Sequence, residues 1–341
     1  MFKKIILFFG LFMTMLVTAG AIYVYTSGPE ITDDMERTME AEIAAPLKEQ
    51  VGQVSYAMNG ETKIWYDVQS PKDTAKGTVM LVMGLSADAL AWPSYFTNGF
   101  LDAGYQVIRF DNRGVGMSDW DDFNPDNPYT LSDMANDAIA ILDTLKIEKV
   151  HFVGVSLGGM ISQTLCIEHP ERALSLTSIM STPWIMDPEL PSINMSCVKE
   201  LVLTNLKYGW SKSELNVVKM GLATRMNLLG SYKYDMNVKR ISQLALYNVR
   251  KRKGYNRQSG RQQTTAIEKS GSRIDALKSL AVPTLVIHGK TDPLIPFEHG
   301  LKTADLIPNA DTLWIEGMGH ILPEIYNDII VDRMVKLFEK H

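Results

Sequence analysis

Cysteine is almost absent: the 341-residue chain holds only Cys166 and Cys197. Two thiols exclude a disulfide framework and a four-thiolate zinc site, and they allow one bridge that nothing in the sequence requires. A basic surplus is lacking too. Lys and Arg number 34 against 39 Asp and Glu, a net charge of −5, so a strongly basic nucleic-acid binder is excluded and no nucleic acid is expected as partner. Glycine and proline (24 and 15) build no low-complexity tract or repeat, which sets aside collagen-like and disordered classes. A single long apolar run occurs, too few for a multi-pass transporter. What remains is a globular chain with the length of two domains, or of one large domain with an insertion.

The apolar run stands at the N-terminus. Lys3 and Lys4 precede it, and it extends from Ile5 to about Tyr25 with no charge inside. Roughly 20 residues at a rise of about 1.5 Å span about 30 Å, the thickness of a bilayer core. Glu30, Asp33, Asp34 and Glu36 follow, and this charge asymmetry directs the bulk of the chain out of the cytoplasm. Residues 1–26 are therefore expected to be a signal anchor, a single-pass transmembrane tether for a periplasmic domain at the cell membrane. The alternative is a signal peptide cleaved at Ala19-Gly20-Ala21, releasing a periplasmic or secreted protein. Ile22-Tyr23-Val24-Tyr25 continues the apolar stretch past that site and favours the anchor.

Residues 27–50 are polar and acid-rich and read as a stalk, with helical tendency from Asp33 to Glu42. Strand patterns begin at Gln53–Met58 and Lys63–Val68, joined by the turn-forming Asn59-Gly60. Short apolar runs follow at Thr78–Met83, Gln106–Phe110, Lys149–Val153, Leu174–Met180, Pro283–Ile287 and Thr312–Ile315. Helical patterns lie between most of them; in Ser132–Leu145 the apolar residues recur at Met134, Ala138, Ile141, Leu142 and Leu145. Continuous apolar strands alternating with amphipathic helices predict an α/β fold, a mostly parallel central sheet covered by helices on both faces. The alternation stops between about Trp184 and Arg273, so a helical insertion at 185–273 divides the core into 51–184 and 274–341.

The chemistry concentrates where the strand at 149–153 runs into Gly154-Val155-Ser156-Leu157-Gly158 and a helical pattern follows. G-x-S-x-G between a strand and a helix is a nucleophile elbow, a tight turn that lifts the serine hydroxyl above the sheet. A hydroxyl is a weak nucleophile and needs a base, and the base needs an orienting acid. Six histidines are few enough to sort. His151 lies within a strand, His169 at a helix end, His288 at a strand end shaping the next loop, His299 on a helix and His341 at the terminus. His320 sits in the loop Gly317-Met318-Gly319-His320 after the last strand, at the sheet end where α/β sites form. Asp292 occupies the loop after 283–287 at the same end, and the position just after Met180 offers no competing carboxylate. Developing negative charge calls for backbone N–H donors: Leu157 at the helix start and Leu85 in Met83-Gly84-Leu85 after the first core strand, each worth about 3 kcal/mol in the transition state.

These residues resemble the α/β-hydrolase superfamily over 78–184 and again from 274 to the end. Asp111-Asn112-Arg113-Gly114-Val115-Gly116-Met117-Ser118 looks like that family's D-x-R-G-x-G-x-S segment, read here as an Asp–Arg pair and glycines fixing a loop. With Met83-Gly84-Leu85, Ala91-Trp92-Pro93 and Gly159-Met160, the pattern looks most like the aclacinomycin methylesterase-like group of bacterial esterases. The resemblance implies the order Ser156, Asp292, His320, hydrolysis of a small-molecule carboxylic ester, no cofactor, no metal, and a lid at the insertion. Met83 departs from the histidine often found before the oxyanion glycine and removes that brace. A serine at the elbow argues against dehalogenases and epoxide hydrolases, which use aspartate there. Thioesterases, acyltransferases, haloperoxidases and C–C hydrolases share the serine set and stay open, as does a non-catalytic small-molecule receptor. In the lid, Met186, Met195, Trp210, Met220, Met226, Leu228 and Leu229 either line an acyl pocket or pack the lid. The run Arg250-Lys251-Arg252-Lys253, with Arg257 and Arg261, reads as a solvated face, or alternatively as a contact for anionic lipid. Acyl and alcohol specificity and oligomeric state leave no mark in the sequence.

Overall fold

The computed structural model describes residues 18–120, 124–231 and 236–341. Eight strands form one sheet: β1 Gln53–Asn59, β2 Thr62–Gln69, β3 Thr78–Val82, β4 Gln106–Phe110, β5 Val150–Val155, β6 Ala173–Ile179, β7 Thr284–Gly289 and β8 Asp311–Ile315. Their order is β1-β2-β4-β3-β5-β6-β7-β8. β1 and β2 pair antiparallel with each other, as do β2 and β4, and every other neighbour pair is parallel. The β1–β2 turn takes its positive φ at Gly60 (59°), while Asn59 stays in the strand and pairs with Thr62.

Alternation along the strands builds two cores. Val79, Leu81 and Val153 face one side of the sheet, where they meet Phe96 and Phe100 of helix α2 and Met334 and Phe338 near the C-terminus. Met80, Val82 and Phe152 face the other side, against Met134, Ile141, Met160 and Ile161. After the helical residues 18–26, and apart from the single turn Ile274–Leu277, the α-helices in chain order are α1 Asp33–Ala44, α2 Ser94–Asp102, α3 Leu131–Leu145, α4 Leu157–Glu168, α5 Met195–Tyr208, α6 Glu214–Asn227, α7 Val238–Lys251, α8 Ser259–Ser270, α9 Phe297–Leu306 and α10 Asn327–Phe338. Thr130 caps α3 in a reciprocal box with Asp133, which sets where that helix starts.

Two compact units divide the chain. Among the described residues, the larger comprises 48–120, 124–194, 229–231 and 247–341 and contains the sheet. The smaller, likewise among the described residues, comprises 18–47, 195–228 and 236–246. Residues 33–44, in the stretch read as a stalk, form α1 and share a core with α6 and α7: Met39 is fully buried beside Val218, Leu222, Ile241 and Leu246. Its polar edge is tied by Gln243 Nε2 donating to Glu42 (2.6 Å) and by Lys219 paired with Glu36 (2.7 Å). The stretch read as one insertion is likewise shared between units, because α8 sends Ala266 and Ile267 into the core under the sheet.

The apolar run from Ile5 falls largely outside the described residues. Residues 18–26 of it are helical. Among the described residues, no helix is long and apolar enough to cross a membrane. Cys166 and Cys197 are both buried, and no disulfide joins them.

Candidate active site

The turn between β5 and α4 puts Ser156 at φ 56° and ψ −121°, a conformation that L residues rarely adopt. Glycines on either side make it feasible. A Cβ on Gly154 would lie 2.1 Å from the Gly158 carbonyl oxygen, and one on Gly158 would lie 2.0 Å from that of Val82. The turn is also held by the Ser156 N–H donating to Ile179 (2.8 Å) and by Ser181 Oγ donating to the Ser156 carbonyl (2.8 Å).

His320 comes from the loop after β8 and Asp292 from the loop after β7. His320 Nε2 stands 2.9 Å from Ser156 Oγ, and His320 Nδ1 stands 2.7 Å from Asp292 Oδ2. Asp292 Oδ1 accepts the N–H groups of Leu294 (2.8 Å) and Ile295 (2.9 Å), which fixes the carboxylate plane. Burial works to raise the Asp292 carboxyl, but the charge and hydrogen bonds of His320 and His288 outweigh it and hold the group well below the usual carboxylate range. His288 is fully buried; its Nε2 lies 3.1 Å from the Ile295 carbonyl and 3.5 Å from Asp292 Oδ2. One carboxylate thus faces two imidazoles.

The loop after β3 abuts the serine, since a Cβ on Gly84 would lie 3.2 Å from Ser156 Cβ. This brings Gly84, the residue before Leu85, against the serine, its Cβ position 3.8 Å from Ser156 Oγ. Leu157 is the first residue of α4, where an N–H has no partner within the helix. Two residues absent from the expected site brace this loop in place of the missing histidine. Asn112 Nδ2 donates to the Met83 carbonyl (2.9 Å), and Gln263 Oε1 accepts the Ser86 N–H (2.7 Å). Gln263 is fully buried and also donates to the Arg113 carbonyl (3.3 Å), so α8 is tied to both loops. In the sequence Asn112 was visible only as part of its motif, and Gln263 carried no signal.

The Asp-Asn-Arg segment departs from its expected internal pair. Arg113 reaches Asp137 of α3 (2.6 Å). Asp111 instead accepts the N–H groups of Ala89 (2.9 Å) and Met117 (2.7 Å) and contacts Arg252. Two buried carboxylates at separate places each need a cation, and neither can share one with its sequence neighbour. Burial, with Asp88 alongside, pushes the Asp111 carboxyl up to about 7 against the opposing pull of Arg252 and the two amides.

Arg252 also corrects the reading of its basic run. Its side chain is 3% exposed and stacks on Trp65 at 4.4 Å, while Lys253 donates to the Ser118 carbonyl (3.0 Å). The run is therefore not a continuous solvated face. Met186, Met195 and Trp210 of the insertion are exposed, whereas Met226 packs against the core of the smaller unit. Among the described residues, no group of three or more His, Cys, Asp or Glu could hold a metal ion.

Comparison with known proteins agrees with this architecture. The family described as alpha/beta hydrolase fold matches residues 77–324. The rhodomycin D methylesterase DauP of a Streptomyces species is 30% identical over 270 residues, covering 74% of this chain and 87% of that protein. The rhodomycin D methylesterase DnrP of Streptomyces peucetius is 28% identical over 284 residues, 78% of this chain and 91% of its own. Among solved structures, an esterase from Exiguobacterium antarcticum superposes with a TM-score of 0.64 at 20% identity, over 85% of this chain and all of that one (100%). The hydrogen-bonded elbow, the sheet order and these matches lead to one conclusion: the chain belongs to the alpha/beta hydrolase fold family.

Proposed function

We propose that this hydrolase cleaves carboxylic esters through an acyl-enzyme formed on Ser156. The observation that carries the reading is the unbroken chain Ser156 Oγ, His320, Asp292, with spacings of 2.9 and 2.7 Å. His320 takes the serine proton as Oγ attacks the ester carbonyl. The N–H groups of Leu85 and Leu157 stabilise the oxyanion. Asp292 holds the His320 tautomer and balances the imidazolium. The alcohol leaves with the proton from His320, and water activated by the same imidazole releases the acid. The relatives named as methylesterases support an ester with a small alcohol half. Ser156→Ala should abolish turnover of p-nitrophenyl butyrate and labelling by a fluorophosphonate; retained turnover overturns the assignment.

The apolar run beginning at Ile5 and the charge asymmetry around it support a membrane tether with the hydrolase on the periplasmic side. Intact mass of the chain from a membrane fraction tests this: a chain lacking residues 1–21 overturns the tether.

A further inference from the structure

Helix α5 of the smaller unit carries Met195, Lys199, Val202 and Leu206 at helical spacing. At about 100° per residue, all four fall within about 60° of one another around the axis. The apolar members point outward: Met195 is 62% exposed, Val202 53% and Leu206 40%. Just beyond the helix, Trp210 is 80% exposed, the most exposed large apolar side chain among the described residues. A helix of this unit normally buries such a stripe, as α1 does with Met39.

A second segment lies against the same helix. The helical residues 18–26 expose Ile22, Tyr23 and Tyr25. Lys199 stands over the Tyr23 ring (5.2 Å), Lys207 over the Tyr25 ring (5.7 Å), and Lys207 Nζ donates to the Ser27 carbonyl (3.0 Å). The described end of the apolar run therefore lies against α5. Tyr, Trp and Lys around an apolar stripe are the residues that settle at the boundary between lipid headgroups and acyl chains. Lysines outnumber acids on this helix, where Glu200 is the sole carboxylate, and this suits anionic headgroups.

We propose that this face of α5, with Trp210 and the exposed tyrosines, docks on the headgroup–acyl boundary of a phospholipid bilayer. The inference rests on the tether proposed above and gives the smaller unit a fixed seat on the membrane. It also replaces the basic run at 250–253, whose Arg252 is buried, as the lipid contact.

The test uses the full chain reconstituted at low protein-to-lipid ratio in phosphatidylcholine–phosphatidylglycerol vesicles, with or without dibromo-phosphatidylcholine. The tryptophan emission lost in Trp210→Phe is the signal of Trp210. Brominated lipid should quench that signal by about half, because an interfacial indole reaches the acyl bromines. The double variant Val202→Asp and Leu206→Asp should remove the quenching while leaving vesicle flotation and turnover of water-soluble p-nitrophenyl acetate unchanged. An unquenched Trp210 in a chain that still floats with the vesicles refutes the docking and leaves the tether standing. A chain that neither floats nor is quenched refutes both. Emission that shifts with protein concentration without bromine quenching assigns the face to a second copy of the chain and also refutes the proposal.

Discussion

Replacing Asp292 by Asn isolates the electrostatic part of the site without disturbing its shape. In the native arrangement Oδ1 accepts two backbone N–H groups, from Leu294 and Ile295, and Oδ2 faces His320 Nδ1 at 2.7 Å. In the variant those two donors keep the amide oxygen in the Oδ1 position, so the NH2 group must point at His320. Nδ1 then has to accept, the ring proton moves to Nε2, and His320 can no longer take the proton of Ser156. The wrong tautomer in a triad of this kind costs about ten-thousandfold in kcat, or about 5.4 kcal/mol of activation free energy. Stability should fall as well. The Asp292 carboxyl is depressed in the folded protein, so its contribution is present above the unfolded value of about 3.8 and is lost as the pH drops below the ordinary carboxylate range. The urea midpoint of Asp292→Asn should therefore lie below the native one at pH 7 and converge with it in acid. The assay is kcat on p-nitrophenyl butyrate at a pH where both proteins are folded, alongside the rate of fluorophosphonate labelling. A folded variant that loses less than about tenfold refutes this account of His320.

Gln263→Leu leaves the Ser86 N–H without its acceptor, so kcat should drop about tenfold with KM nearly unchanged, read by steady-state kinetics on the same ester. Arg252→Met strands Asp111 beside Asp88 and should destabilise by about 3–5 kcal/mol at pH 8, with Asp111→Asn in the same chain recovering part of the loss. Because the Asp111 carboxyl is raised to about 7, its ionised form is the costly one, and the deficit of Arg252→Met should shrink toward pH 5 in urea unfolding. Burial, with the charge of His341 adding to it, lowers His151 to about 4, where it stacks on Phe338 at 4.2 Å. Stability tied to its neutral form is present above about 6.5 and lost as the pH falls through about 4, so His151→Gln should flatten the acid loss by about 3 kcal/mol in denaturant titrations.

The sheet and the three side chains at its rim were legible because each signal is local. An apolar run bounded by turn residues marks a strand, a glycine-flanked serine after it marks a tight turn, and Asp292 and His320 each follow their own strand. Arg252, Gln263 and Met39 were not legible, since their environments are made by residues far away in the chain. A Lys/Arg cluster looks solvated until one member is seen between Asp111 and Trp65. The Asp–Arg pairing in residues 111–113 failed for the same reason. Adjacent charges suggest each other, but Arg113 found Asp137 and Asp111 found Arg252. The stalk looked polar because α1 turns only a narrow apolar edge, Met35, Met39 and Ile43, toward its neighbours.

That narrow edge has a practical outcome for anyone expressing the protein. A clone trimmed to begin near residue 51, where the first strand starts, would discard Met39 and unroof Val218, Leu222 and Ile241, turning a closed seam into a sticky one. On the ribosome the same geometry imposes a wait: α1 emerges early, yet the surface that receives it is completed only when residue 246 has been synthesised. Until then Met35, Met39 and Ile43 have no apolar surface to close against.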